Sequence, residues 1–244
     1  MSAAVDFADA ERLLREAEFE DCQPLWYSSN YVYAARLCGG NNETFAAVYK
    51  PLRGESPLWD FPEGALYKKE VAAYELSRLL GWPFVPPTVV RDGPHGVGSV
   101  QIFIAHDPEA HFFVQRDVPE LVPQLQRMAV FDAIANNADR KGGHCLLDSG
   151  GTIWGIDHGL CFHPQYKLRS VIWDWVDEPI AEEWLAEVQE AAGKLEARTE
   201  ATGPLLELLT SEEAAAMGRR IRTLLKQRTF PRPGPNRHYP WPLV

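Results

Sequence analysis

Two short polar stretches carry the residue types that chemistry needs. They are NNADRKGGH at residues 136–144 and GIDHG at residues 155–159. The first places Asp139, Arg140 and His144 just past an apolar helical run, and the second sets Asp157 at the end of the strand-like IWGI. The intervening HCLLDSGGTIWGID reads as strand, turn, strand. Such a hairpin returns Asp157 to the rim that holds Asp139. Two carboxylates at one rim can hold a divalent cation and handle a proton. Phosphoryl transfer needs both, because charge on the transferred group must be neutralised and the acceptor hydroxyl oriented. Arg140 and Lys141 are placed to neutralise phosphate or orient the loop, with a salt bridge to a nearby acid as the alternative. His144, His158 and His163 allow a rival reading, in which they join the two aspartates in a transition-metal centre that activates water for hydrolysis. No HExxH accompanies them.

A second group lies upstream. Lys50 ends the strand-like FAAVYK, and Glu70 sits in the helical ALYKKEVAAYELSRLLG, beside Ala73, Tyr74 and Ser77 on a partly apolar face. A carboxylate there requires a cation. Lys50 is the candidate, and the pairing would aim it at a phosphate. YSSN at residues 27–30 puts small polar residues ahead of a strand, where the backbone N–H groups of Ser28, Ser29 and Asn30 can cover phosphates as a nest does. Neither a P-loop nor a dinucleotide fingerprint is present.

The elements that must position these residues read as α+β. Residues 7–19 form an amphipathic helix ended by Pro24. Strands over 31–37 and 44–50 flank GGNN, and TVVRDGPHGVGSVQIFIA is a second hairpin. Helices are expected over 120–135, 171–176, 180–194, 204–209 and 211–227. The tail TFPRPGPNRHYPWPLV has too much proline for helix, and Tyr239 and Trp241 suggest that it docks on the body. A boundary near His106 divides a strand-rich lobe from a helix-rich one, with the ligand cleft between them. The expected divisions are a helical extension over 1–23, a first lobe over 24–105 and a second over 106–244. The net charge of −10 argues against phosphate-neutralising nucleic-acid binding. The four cysteines are widely spaced, so a disulfide framework or zinc knuckle is not expected. Neither a signal peptide nor a membrane-spanning apolar run is legible, which points to a cytoplasmic protein.

The order VYKP, KKEVAAYE, NNADRKGGH, GIDHG resembles the phosphatidylinositol 3/4-kinase and HipA-like branch of the protein-kinase-like superfamily. KPLRGESPLWDFPEG, LGWPFVPPTVVRDGP, FDAIANNADRKGGH and WGIDHGLCFH are similar to an actinobacterial phosphatidylinositol-kinase-like (SCO-type) group, over about residues 25–180. The resemblance implies a two-lobed protein-kinase-like fold. It also implies ATP with Mg2+ or Mn2+ as cofactors, and a hydroxyl-bearing acceptor that is a small molecule, an inositol or a protein. Lys50 would contact the nucleotide phosphates, and Glu70 would be its helical partner. Asp139 would be the catalytic aspartate, and Asp157 the metal-binding one, with His158 in place of Phe. Residues Gln101, Ile102, Phe103 and Ile104 would form the hinge that receives adenine, and Ser28–Asn30 would lie over the phosphates. Two departures stand out: Lys141 occupies the histidine position of the DRH-type loop, and His144 occupies the position of the metal-binding Asn. Three readings follow. His144 ligates a cation such as manganese, Asn136 or Asn137 supplies the oxygen, or the protein binds nucleotide as a regulator without turnover. Lys167 and Arg169, after Gly159, are placed to meet an anionic acceptor.

Overall fold

The structure is a computed structural model and describes residues 7–25, 31–40, 43–58, 61, 64–235 and 237–244. Along the chain lie α1 (Phe7–Glu16), β1 (Glu18–Leu25), β2 (Val32–Cys38), β3 (Thr44–Pro51), α2 (Leu66–Leu79), β4 (Thr88–Gly93) and β5 (Gly96–Ile102). The five strands form one antiparallel sheet in the order β1-β2-β3-β5-β4. Successive side chains of a strand face opposite sides. Leu37 of β2, Tyr49 of β3, Val89 and Val100 accordingly share one buried face, and Leu14 and Ala17 cover it. Burying such side chains contributes about 1.5–3 kcal/mol each. The same parity sends Lys50, the neighbour of Tyr49, to the opposite face, where α2 packs.

The first correction concerns residues 17–25. The helix expected over 7–19 ends at Glu16, and Glu18–Leu25 forms an edge strand paired with β2. Pro24 is tolerated there because an edge strand leaves one row of N–H groups unpaired. The remaining elements are α3 (Phe112–Gln115), α4 (Val122–Ala135), β6 (Cys145–Leu147), β7 (Ile153–Gly155), α5 (Glu182–Ala197), α6 (Gly203–Glu207) and α7 (Ser211–Gln227). The chain is therefore α+β, with an antiparallel sheet region followed by a mainly helical part. A second correction is that residues 171–176 are not helical. Side-chain bonds hold that stretch instead, one local and one distant: Ile172 N–H donates to Ser170 Oγ at 2.9 Å and Trp173 Nε1–H to the His238 carbonyl at 3.2 Å.

One large core joins α2, α4, α5 and α7 through Tyr74, Leu76, Trp82, Phe131, Val188 and Ile221. The sheet region and the helical part are also joined by a buried ion pair, Lys69 Nζ to Glu213 Oε2 at 2.6 Å. Glu213 is also the third residue of α7 and reaches back to the Thr210 N–H at 2.8 Å. It closes a capping box that fixes where α7 begins. Among the described residues no helix is long and apolar enough to cross a membrane.

Candidate active site

The site is assembled by three short devices. The first is the end of α4. Asn136 adopts a left-handed conformation with φ 57° and stops the helix. Its side chain donates to the carbonyls of His163 and Gln165 and accepts from the Lys167 N–H, pinning the segment after Asp157. Asn137 is buried. It donates to Asp132 Oδ1 at 3.0 Å and accepts from the Asp139 N–H at 2.9 Å. Both asparagines are thus committed to shaping the loop. Each amide oxygen accepts one N–H here and keeps a second lone pair, so the expectation that either supplies an oxygen to a cation is not decided by these bonds.

The second device is the hairpin β6–β7. Ile156 N–H donates to the His144 carbonyl at 3.1 Å, closing the hairpin and setting His144 and Asp157 side by side. His144 Nε2 lies 3.2 Å from Asp157 Oδ2. Ligand atoms of Asp139, His144 and Asp157 all lie within 4.8 Å of one another, a spacing that can hold a metal ion. Burial is the main reason the His144 pKa is lowered to about 4, so the ring is neutral near pH 7; its Nδ1 accepts from the Lys141 N–H at 3.4 Å. Asp139 is raised by burial, only partly offset by Lys141 at 3.2 Å, with Asp157 adding repulsion. A carboxylate so raised is a better proton acceptor than a surface aspartate.

The third device is α2. Glu70 Oε1 meets Lys50 Nζ, and its Oε2 accepts from the His158 N–H at 3.0 Å. Lys50 Nζ also reaches Asp157 Oδ1 at 2.8 Å. One ammonium therefore bridges the sheet, α2 and the hairpin. Burial alone would lower the Lys50 pKa, but the Asp157 and Glu70 carboxylates outweigh it and hold the amine above its ordinary value. Asp157 is depressed, chiefly by Lys50. Glu70 is raised because its burial outweighs the same lysine. Asp157 itself sits at φ 60°, unusual for a residue other than glycine. Two residues on, a Cβ at Gly159 would lie 3.4 Å from Glu70 Oε1, an ordinary contact, so the space beside Glu70 does not itself require this glycine.

Arg140 takes the salt-bridge alternative and is internal rather than phosphate-facing. It is 0 % exposed. Its Nε and Nη2 grip Asp132 at 2.8 and 3.0 Å, Nη2 also meets His158 Nε2 at 2.7 Å, and Nη1 donates to the carbonyls of His144 and Ile156. It therefore ties α4 to both ends of the hairpin. Asp132 was missed as a site residue; the signal was an acid within the apolar FDAIA. His158 is buried, and burial first, then Arg140, holds it neutral. The half-buried His163 ring packs edge-on against Phe61 and accepts locally from the Gln165 N–H at 3.0 Å. Of the three histidines proposed for a hydrolytic centre, only His144 joins the carboxylates among the described residues.

At the proposed hinge, Gln101 and Ile102 lie within β5, and the Gln101 amide donates to Thr88 Oγ1 at 2.8 Å. The Ile102 and Phe103 N–H groups donate to the Pro87 and Ala46 carbonyls. The chain leaves the sheet at Phe103–Ile104, where the Ile104 carbonyl meets His106 Nδ1 at 2.9 Å. Gln101, Ile102 and the Phe103 N–H are therefore occupied by the sheet. Ser28, Ser29 and Asn30 lie outside the described residues.

The phosphatidylinositol 3- and 4-kinase family model matches residues 88–181, which include Asp139, His144 and Asp157. The fold is similar to the Golgi casein kinase with Mn/ADP bound (TM-score 0.58, 13 % identity, 91 % of this chain and 75 % of that one). It is also similar to hydra Fam20 with sugar (TM-score 0.54, 15 % identity, 93 % and 89 %). The fold is thus kinase-like, and the family model matches the stretch that holds the candidate site. The chain belongs to the family of the Mycobacterium tuberculosis protein Rv2133c, to which it is 40 % identical over 232 residues, covering 80 % of this chain and 81 % of that protein. Phosphatidylinositol 4-kinase gamma 4 of Oryza sativa subsp. japonica is 34 % identical over 140 residues, half of this chain but 24 % of the plant protein.

Proposed function

We propose that this protein is an ATP-dependent phosphotransferase that moves the γ-phosphoryl group of ATP to a hydroxyl of an acceptor. The observation that carries this reading is the position of Lys50 Nζ, bonded to both Glu70 and Asp157, with Asp139 and His144 beside Asp157. Lys50 would lend its charge to the nucleotide phosphates, and Glu70 would keep it aimed. Asp139 would orient the acceptor hydroxyl and take its proton as the oxygen bonds to the γ-phosphorus. The bond from that phosphorus to the β–γ bridging oxygen breaks, and ADP leaves with the electron pair. A divalent cation held by Asp157 and His144 would neutralise charge on the phosphates. The imidazole favours Mn2+ over Mg2+, which prefers oxygen ligands. Membership in the actinobacterial SCO-type group belongs to the same proposal and rests on the stretches quoted above.

Titration with ATP in the presence of Mn2+ should show binding that Lys50→Ala weakens. Asp139→Ala should keep the affinity and lower transfer or ATP hydrolysis by about 10²–10⁴. Absence of nucleotide binding by the native chain would refute the proposal. The second reading, a nucleotide-binding regulator, is favoured by the imidazole at a position where oxygen suits magnesium. Turnover above background that is lost in Asp139→Ala would eliminate it.

A further inference from the structure

A cavity of about 590 Å³ opens on the helical part, and none of Lys50, Glu70, Asp139, His144 and Asp157 lines it. Small-molecule sites run from about 300 to 1,000 Å³. Three stretches of chain enclose it. Ala133 comes from α4, Leu168 from the segment after Asp157, and Leu224 and Phe230 from α7 and the chain just beyond it. Leu168, Leu224 and Phe230 are buried, so the body of the cavity is apolar. The Tyr166 ring lines it as well and lies against Gly234. A Cβ at Gly234 would come within 2.9 Å of that ring, so this glycine lets the chain close over the tyrosine.

Charge in the lining is not balanced. Among the described residues it holds three arginines and one acid. Arg232 and Asp177 satisfy each other, with Nε 2.7 and 2.9 Å from the two carboxylate oxygens. Arg219 and Arg220 make no ion pair among the described residues. Two unanswered cations at one cavity stand apart in a chain of net charge −10. Arg220 is the more telling. Its Nε donates to the Ile134 carbonyl at 2.8 Å and its Nη1 to the His163 carbonyl at 3.4 Å. It thereby ties the last turn of α4 to the segment after Asp157. Its Nη2 is buried and has no acceptor among the described residues. Two carbonyls call for a donor there but not for a full charge, which burial opposes, lowering the guanidinium to about 10. A carboxylate meets the planar fork of a guanidinium and its charge together.

We infer that this cavity binds a carboxylic acid with an apolar body, the carboxylate met by Arg219 and Arg220 and the body seated on Leu168, Leu224 and Phe230. Binding there needs no nucleotide and does not depend on the phosphotransferase reading. It has a consequence for the candidate site all the same. The His163 carbonyl that Arg220 holds also accepts from Asn136 Nδ2 at 2.9 Å. An acid that engages Arg220 therefore braces, from behind, the segment that follows Asp157.

Calorimetry on the full chain, without nucleotide, tests this with 2-naphthoate and octanoate, and with 2-naphthalenemethanol and octanol as uncharged controls. At least one acid should bind about tenfold or more tighter than its alcohol. The two arms tell a flat ring from a flexible chain. Arg219 and Thr223 are exposed side chains of the lining, so their replacement spares the fold. Arg219→Glu should weaken the acid about tenfold or more. Thr223→Trp, which crowds the cavity, should weaken acid and alcohol alike. Both variants should melt near the temperature of the native chain. With the acid bound, amide hydrogen exchange should slow in peptides covering residues 161–170 and 216–234 and stay unchanged in the five-stranded sheet. No binding of either acid by the native chain overturns the inference. Equal affinity for acid and alcohol overturns it too, since the arginines would then contribute nothing. So does undiminished binding in either variant, or protection confined to other peptides, which would place the acid elsewhere.

Discussion

Lys50 serves two carboxylates that differ in their need for it. Asp157 is 46 % exposed, and water can replace part of what Lys50 gives it. Glu70 is 4 % exposed, and water cannot. Lys50→Met should therefore cost roughly 3 kcal/mol of stability through the buried Glu70, beyond its effect on nucleotide binding. The sign with pH follows from Glu70. Its pKa is raised in the folded state, and loss of the lysine raises it further. A raised acid favours folding below its unfolded value and disfavours it as pH rises through the folded one. The melting deficit of Lys50→Met should widen between pH 5 and pH 8; a constant deficit would show that Glu70 is not the cause. Arg140 makes the opposite case. Arg140→Lys keeps the charge but loses the two-pronged grip on Asp132, and should destabilise the fold by about 3–5 kcal/mol in denaturant titration. A variant of native stability that fails only in turnover would restore Arg140 to direct phosphate contact. The order of Lys50, Glu70, Asp139 and Asp157 was legible because each stands in a short, recognisable local context. The Asp132–Arg140 pair was not, because an acid on an apolar helix face becomes meaningful only once its partner is known.

The hairpin β6–β7 owes its shape to Asp148. Its Oδ1 accepts from the N–H groups of Gly150 and Thr152 at 2.8 and 2.9 Å, and its Oδ2 from Trp154 Nε1 at 2.8 Å. Though partial burial pulls upward, these donors hold the carboxyl below its ordinary value. A depressed acid contributes stability above its unfolded value and loses it as pH falls through the folded one. Asp148→Ala should thus cost about 2 kcal/mol at pH 7, and thermal melts should show the gap to the native chain shrinking toward pH 3. A gap that grew on acidification would contradict this account. The hairpin was readable from DSGG alone. β1 was not, for a physical reason. EFEDCQPL lies at the sheet edge with neither face fully buried, and a register shift between Phe19 and Asp21 breaks its two-residue period. What remained resembled the charged continuation of the preceding helix.

At the level of the whole molecule, burial is uneven and chemistry can map it. Cys145 and Cys161 lie in the large core, where burial pushes the Cys145 thiol up to about 12 and Cys161 well above its ordinary value. Cys22 and Cys38 are partly exposed on the sheet. Since the thiolate is the nucleophile, iodoacetamide at pH 8 should label Cys22 and Cys38 on the native protein, and Cys145 and Cys161 only after denaturation. Peptide mass mapping reads this directly, and native labelling of Cys145 would mean that the hairpin opens readily. The succession of a sheet region and a mainly helical part was legible from the change in periodicity along the chain. The course of the tail was not, because its contacts are backbone bonds to residues far away in sequence.

Lys69 and Glu70 are neighbours on α2, yet they serve different halves of the protein. Lys69 is anchored to Glu213 at the head of α7, while Trp82, just past the helix, donates to Glu187 of α5 at 2.5 Å. The helix is therefore fastened on both sides, since the Tyr74 hydroxyl donates to Glu11 of α1 at 2.7 Å and Arg78 lies 3.2 Å from the same acid. It works as a rivet through the molecule. Any parting of the sheet from the hairpin would have to break the bond from Lys50 to Asp157 as well as strain the one to Glu70.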